Sequence, residues 1–263
     1  MVLEKLVSIR EAVRHPLWML VIGAVVSVIS LFISFLIFPE SVGLFTTVLI
    51  TFIMTPFMVN LLTYEAFMTE VEIKKKVRQS FFERHWDVLM IYTAFFSGII
   101  IALSLAFIFL PDATVEKLFQ DQITEIKIIR GSFLVSSTFL KIAINNIGVL
   151  ILATLFAFIF GSGAVFILSW NASVLSAAIG LTAKSIGGLP GIPVALATYL
   201  PHGVFEIAAY FLGGIAGGIL SAAVMQRKTE LFGVIVRDSV KVLTMAISLL
   251  FVGALIETML IVG

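Results

Sequence analysis

Three features of the sequence predict an all-α, polytopic helical membrane protein with about seven transmembrane crossings, one of them a broken or re-entrant element. The first is composition. Of the 263 residues, 60% are hydrophobic and 13% charged, against about half and about a quarter in soluble domains. One core cannot enclose that apolar excess, so part of it must face lipid. The second feature is its distribution into long apolar runs that match a hydrocarbon core about 30 Å thick, in keeping with a mean hydropathy of +1.15. The third is the position of the charges, which gather in short segments between the runs.

The elements follow in order. Residues 1–16 are amphipathic and carry Lys5, Arg10 and Arg14. The first span, 17–38, is too long for a signal-peptide core and no small-residue cleavage site follows it, so it reads as a retained crossing. A turn at Pro39-Glu40-Ser41 leads to the second span, 43–62, with Pro56 as a kink. Residues 63–87 are charge-rich yet keep Phe67, Val71, Val77, Phe81 and Phe82, which suggests a cytoplasmic amphipathic helix. The third span, 88–110, stops at Pro111. Residues 112–130 place Val115, Leu118, Phe119, Ile126 and Ile129 at helical spacing, as in an interfacial amphipathic helix. Span four covers 142–168. Residues 171–200 are the broken element, interrupted by the GGLPGIP segment at 187–193. Spans 202–225 and 240–262 complete a single integral membrane domain occupying 1–263.

The basic residues orient it. With a cytoplasmic N-terminus, the inner segments hold Lys5, Arg10, Arg14, Lys74, Lys75, Lys76, Arg78, Arg84, Arg227, Lys228, Arg237 and Lys241, which is 12 of the 17 Lys and Arg. The outer segments hold Lys117, Lys127, Arg130, Lys141 and Lys184. That excess is the positive-inside pattern, and it requires 171–200 to cross once overall.

Ionisable groups within spans are expensive, which makes His202, Glu206 and Glu257 functional candidates. His202 and Glu206 lie four apart in PHGVFEIAAY, on one helix face. Such a pair can share a proton, bind a cation, or anchor the preceding break to the bundle. Asn145, Asn146 and Asn171 are costly amides of the same kind, serving helix cross-linking or contact with a solute. Glu257 has no evident partner, and its place near the end of the last span suggests hydration at the outer interface. The glycines Gly161, Gly163, Gly213, Gly214, Gly217 and Gly218 read as helix-packing positions, the last four forming overlapping small-xxx-small patterns.

Several function classes are excluded at this level. A net charge of +1 lacks the basic face of a nucleic-acid binder. With no cysteine and three scattered histidines, neither a thiolate site nor a metal cage is expected. There is no HExxH or GxSxG motif, and no phosphate loop. The expectation is a protein that is not an enzyme and uses no cofactor or metal.

The polar landmarks form a string: Asn145-Asn146, Gly161-x-Gly163, Asn171, Gly180, then Pro201-His202-Gly203-x-x-Glu206 with Gly213 and Gly217. Over 132–225 it resembles the stage II sporulation protein M family of polytopic membrane proteins. The resemblance implies a membrane scaffold, since the namesake acts with cell-wall hydrolases during forespore engulfment. On this reading the chain is a non-enzymatic, multi-pass protein of the cell membrane, in contact with the lipid bilayer. It assembles with itself, as a dimer first, and with partner membrane proteins, through 213–222 and 63–87. The alternative is a transporter or channel whose polar intramembrane site comprises His202, Glu206, Asn145, Asn146 and Asn171.

Overall fold

The computed structural model describes residues 8–74, 81–132, 138–225 and 229–262, and the regular elements among them are all helical. Lys5, Lys75, Lys76, Arg78, Arg227 and Lys228, counted above for orientation, lie outside the described residues. Among the described residues ten α-helices occur: α1 (Ile9–Arg14), α2 (Leu17–Ile37), α3 (Val42–Lys74), α4 (Phe81–Phe109), α5 (Asp112–Leu118), α6 (Gln120–Ser132), α7 (Thr138–Phe160), α8 (Ala164–Ser185), α9 (Ile192–Met225) and α10 (Thr229–Val262). Seven of them, α2, α3, α4, α7, α8, α9 and α10, contain stretches long and apolar enough to cross a membrane.

Helix α2 shows which solvent the bundle is built for. It turns Leu17, Trp18, Phe32 and Leu36 outwards, each more than half exposed, and buries Gly23, Ser27, Ser30 and Ser34. Large apolar groups outside with small residues inside reverse the soluble pattern and suit a lipid environment. Gly23 on α2 meets the Phe95 carbonyl of α4, and Gly98 on α4 meets the Leu20 carbonyl of α2, so close that a Cβ at either position would collide with backbone. The reciprocal glycines let the two helices touch along their main chains.

Helix α9 packs most extensively on α10 and α7, and α8 lies between α4 and α9. Phe211 on α9 reaches Tyr92 and Phe96 on α4 at ring-centroid distances of 5.7 and 5.3 Å. These rings tie the two halves of the chain into one core. At the α5–α6 end, Asp121 accepts the Leu44 N–H that opens α3, and Gln122 donates to the Ser173 hydroxyl of α8. Lys184 at the end of α8 bonds the Leu110 carbonyl at 2.7 Å and the Asp112 carboxylate at 2.5 Å.

The chain breaks in different places from those expected of the sequence. Span four does not run to 168. Helix α7 ends at Phe160, Gly161 takes a φ of 72°, and α8 begins at Ala164 as a complete crossing. The GGLPGIP segment is a turn between two full helices. Gly187 and Gly188, at φ of 108° and 82°, donate to the Lys184 and Ala183 carbonyls and close α8 as a Schellman motif. Beyond a single 3-10 turn (Leu189–Gly191), α9 passes through Pro201 without ending there. The re-entrant element at 171–200 therefore resolves into the end of one crossing and the start of the next.

Two surface assignments change as well. Of residues 63–87, 63–74 extend α3 and 81–87 open α4, while 75–80 lie outside the described residues. Residues 112–130 form two helices, α5 and α6, that meet at Phe119.

Candidate intramembrane polar site

A cavity of about 870 Å³ lies among α6, α7, α8, α9 and α10. Asn145 and Asn146 from α7, Asn171 from α8, His202 and Glu206 from α9, and Glu257 from α10 all line it. Most of the remaining wall is Ile, Leu, Val and Phe. The five polar residues singled out in the sequence thus face one space, together with a sixth that was placed elsewhere.

Glu206 is the centre of the polar cluster. Its carboxyl accepts a hydrogen bond from Asn146 Nδ2 at 2.6 Å, and Asn145 Nδ2 donates in turn to Asn146 Oδ1 at 3.2 Å. The side chains of Glu206 and Glu257 approach each other across the α9–α10 contact. Among the described residues, no basic side chain pairs with either acid. Gly253 brings the acids together, because a Cβ there would stand 3.1 Å from Glu206 Cγ and 3.4 Å from the His202 carbonyl. With that face of α10 pressed on α9, Glu257 follows one turn later.

His202 is 9% exposed, and its Nδ1 is buried without a hydrogen-bond partner among the described residues. Tyr199 stands edge-on to the imidazole at 6.4 Å and shares a hydrogen bond of 3.1 Å with Thr182 on α8. Asn171 is the outlier of the set. Its amide donates to the Ile167 carbonyl of its own helix at 2.7 Å, a structural use of the group.

Glu257 belongs in the cluster and not at a hydrated interface. The signal for this was Gly253 four residues earlier, since a small residue one turn away marks a face laid against another helix. An acid–imidazole contact elsewhere escaped the sequence reading altogether. Glu65 on α3 and His85 on α4 are bonded at 2.5 Å, with side chains 7% and 4% exposed. His85 stands at a local break in helical geometry, φ −107° and ψ 15°.

The glycine stripe on α9 is buried inside the protein. A Cβ at Gly213 or Gly217 would strike Leu150, Thr154 or Ala157 of α7, and one at Gly218 would strike Leu62 of α3 and the Gly161 carbonyl. The 213–222 face is therefore occupied within the protomer and is not a surface for a second copy. Gly163 likewise abuts the Phe156 carbonyl, which makes it part of the α7–α8 turn.

Comparison with protein families matches the chain to the one described as stage II sporulation protein M, over residues 44–260. No curated protein and no solved structure matches the chain.

Proposed function

The chain belongs to the stage II sporulation protein M family, and on that premise we propose that it is a non-enzymatic membrane scaffold assembling with itself and with partner proteins. The observation that supports this reading is helix length. Helices α3, α9 and α10 contain 33, 34 and 34 residues, or about 50 Å each at 1.5 Å per residue, against a hydrocarbon core of about 30 Å. The end of α3, the start of α4, the end of α9 and the start of α10 share one end of the bundle. They form a charged helical platform there, tied by Arg84 to Asp238 at 3.6 Å and by Lys241 to Asp238 at 3.4 Å. The positive-inside pattern assigns this platform to the cytoplasm, with the N-terminus beside it.

Site-specific photocrosslinking in native membranes tests the proposal. A crosslinker at Lys241, whose side chain is 67% exposed, should capture a second copy or a stoichiometric partner, while one at lipid-facing Val25 should not. Lys241 adducts with lipid and detergent alone would overturn the scaffold reading. The transport alternative is checked separately: it requires flux in proteoliposomes that Glu206→Gln abolishes.

A further inference from the structure

We propose that the cavity around Glu206 and Glu257 is a binding site for an organic ammonium group carried on an apolar body. The close acid pair on the cavity wall, when singly ionised, carries one negative charge in a medium where an unpaired charge is costly. Asn146 supplies a neutral donor to Glu206, and no basic side chain among the described residues pairs with either acid. Once ionised, the pair offers a charge that none of these ion pairs neutralises.

A second observation, independent of the acids, points the same way. His202 lines the same cavity, is nine-tenths buried, and leaves Nδ1 unpartnered. Buried polar atoms are nearly always hydrogen-bonded in native proteins. As the Nε2–H tautomer, this imidazole keeps an unused acceptor within the cavity wall. Two carboxyl groups beside that acceptor suit a primary ammonium, which has three N–H donors to place.

Size and lining argue against a bare metal ion. At about 870 Å³ the cavity falls in the range of small-molecule sites, about 300–1,000 Å³, and its walls away from the acids are mostly apolar, with Glu125 and Lys141 also on the lining. Ile144 on α7 and Leu260 on α10 both line it and are 68% and 51% exposed, so it opens between these helices onto the lipid-facing surface. A ligand that enters from the bilayer, ammonium towards Glu206 and hydrocarbon along the wall, fits both features. The chemistry is shared by aminophospholipid headgroups and free alkylamines. The inference stands whether or not the scaffold reading does.

The test uses the full chain in a neutral detergent and in nanodiscs, with octylammonium as the probe and calorimetry as the readout. One saturable site per chain is expected, weakened at least tenfold by Glu206→Gln or Glu257→Gln and several-fold by His202→Phe. Octanol should not compete, and octyltrimethylammonium, which lacks N–H donors, should bind at least tenfold more weakly. Each variant is first shown to retain the wild-type thermal transition. Equal binding of octanol and octylammonium would overturn the proposal, as would wild-type affinity in a folded Glu206→Gln protein or no saturable binding at all. Nanodiscs separate the sources. Competition by phosphatidylethanolamine but not by phosphatidylcholine identifies a lipid headgroup, and equal octylammonium affinity in both identifies a free amine.

Discussion

Towards the platform end of the bundle, Glu65 on α3 faces His85 on α4. Further towards the opposite end, Glu206 on α9 faces Glu257 on α10. Both contacts bury a carboxyl between helices that cross a membrane, yet the first joins an acid to a base and the second joins two acids. The Glu65–His85 contact measures 2.5 Å, both side chains are more than 90% buried, and neither residue lines the cavity. The Glu206–Glu257 contact borders a large cavity, and the neighbouring imidazole nitrogen is unpartnered. The first arrangement satisfies itself and needs nothing further. The second has hydrogen-bonding capacity left over, and unused capacity in a low-dielectric interior is where a ligand gains most.

Substitutions can set the scale for this distinction. The largest expected effect belongs to neither pair but to the glycine stripe that packs α9. Leucine at Gly217 would drive its Cβ into the Thr154 carbonyl of α7, where only backbone could yield. Gly217→Leu should yield no folded protein, read as aggregation on size exclusion of the extracted chain. A monodisperse variant with reduced self-association would instead return the stripe to the protomer's outer surface.

Next comes Glu65→Ala, which removes one partner of a buried acid–imidazole contact and should cost about 3–5 kcal/mol, the usual penalty for removing one partner of a buried pair. Thermal unfolding of the extracted protein measures it. The double variant Glu65→Leu, His85→Leu should recover most of the loss, because it removes both polar groups together. Glu206→Gln and Glu257→Gln should behave differently, each changing stability by about 1 kcal/mol or less, since an amide of the same shape brings its own N–H donors to the contact. A loss at Glu206 as large as that at Glu65 would break the comparison and make both contacts structural.

Much of this architecture was readable from residue type. A run of about twenty apolar residues has few alternatives to a membrane helix, and polar groups within such runs are too costly to be placed at random. That logic singled out Asn145, Asn146, Asn171, His202 and Glu206, which the fold brings around one cavity. What stayed hidden depends on pairing between helices. Periodicity reports which residues share a face of one helix, as with His202 and Glu206, but not which helix that face meets, so the partnership of Glu257 and that of Glu65 with His85 were out of reach. The chain breaks were misplaced for a related reason. Glycine serves both close packing and left-handed turns, so Gly161 resembled Gly213 until its φ of 72° was known. Proline is tolerated within membrane helices, so Pro201 looked like a helix start although α9 continues through it.

The smallest effect concerns a fourth acid, outside the membrane and fully exposed to water, where the comparison reaches its lower limit. Glu11 accepts hydrogen bonds from the Ser8 N–H at 3.0 Å and the Ser8 hydroxyl at 3.1 Å, while its own N–H donates to the Ser8 oxygen at 3.3 Å. The backbone bond from Ser8 is the main cause that holds the Glu11 carboxyl below its ordinary value, helped by the Ser8 hydroxyl and by His15, and opposed weakly by desolvation. A carboxyl depressed in the folded state contributes its full stabilisation above the unfolded value of about 4.3, and loses it as pH falls through the folded value. Hydrogen exchange at Ile9–Arg14, corrected for intrinsic rates, should therefore show α1 protected at neutral pH and fraying in the acid range. Ser8→Ala should raise the Glu11 carboxyl towards its ordinary value and weaken α1 at neutral pH. Protection that stays constant into acid would mean that packing of Ala12, which is fully buried, holds this helix and the capping carboxylate does not.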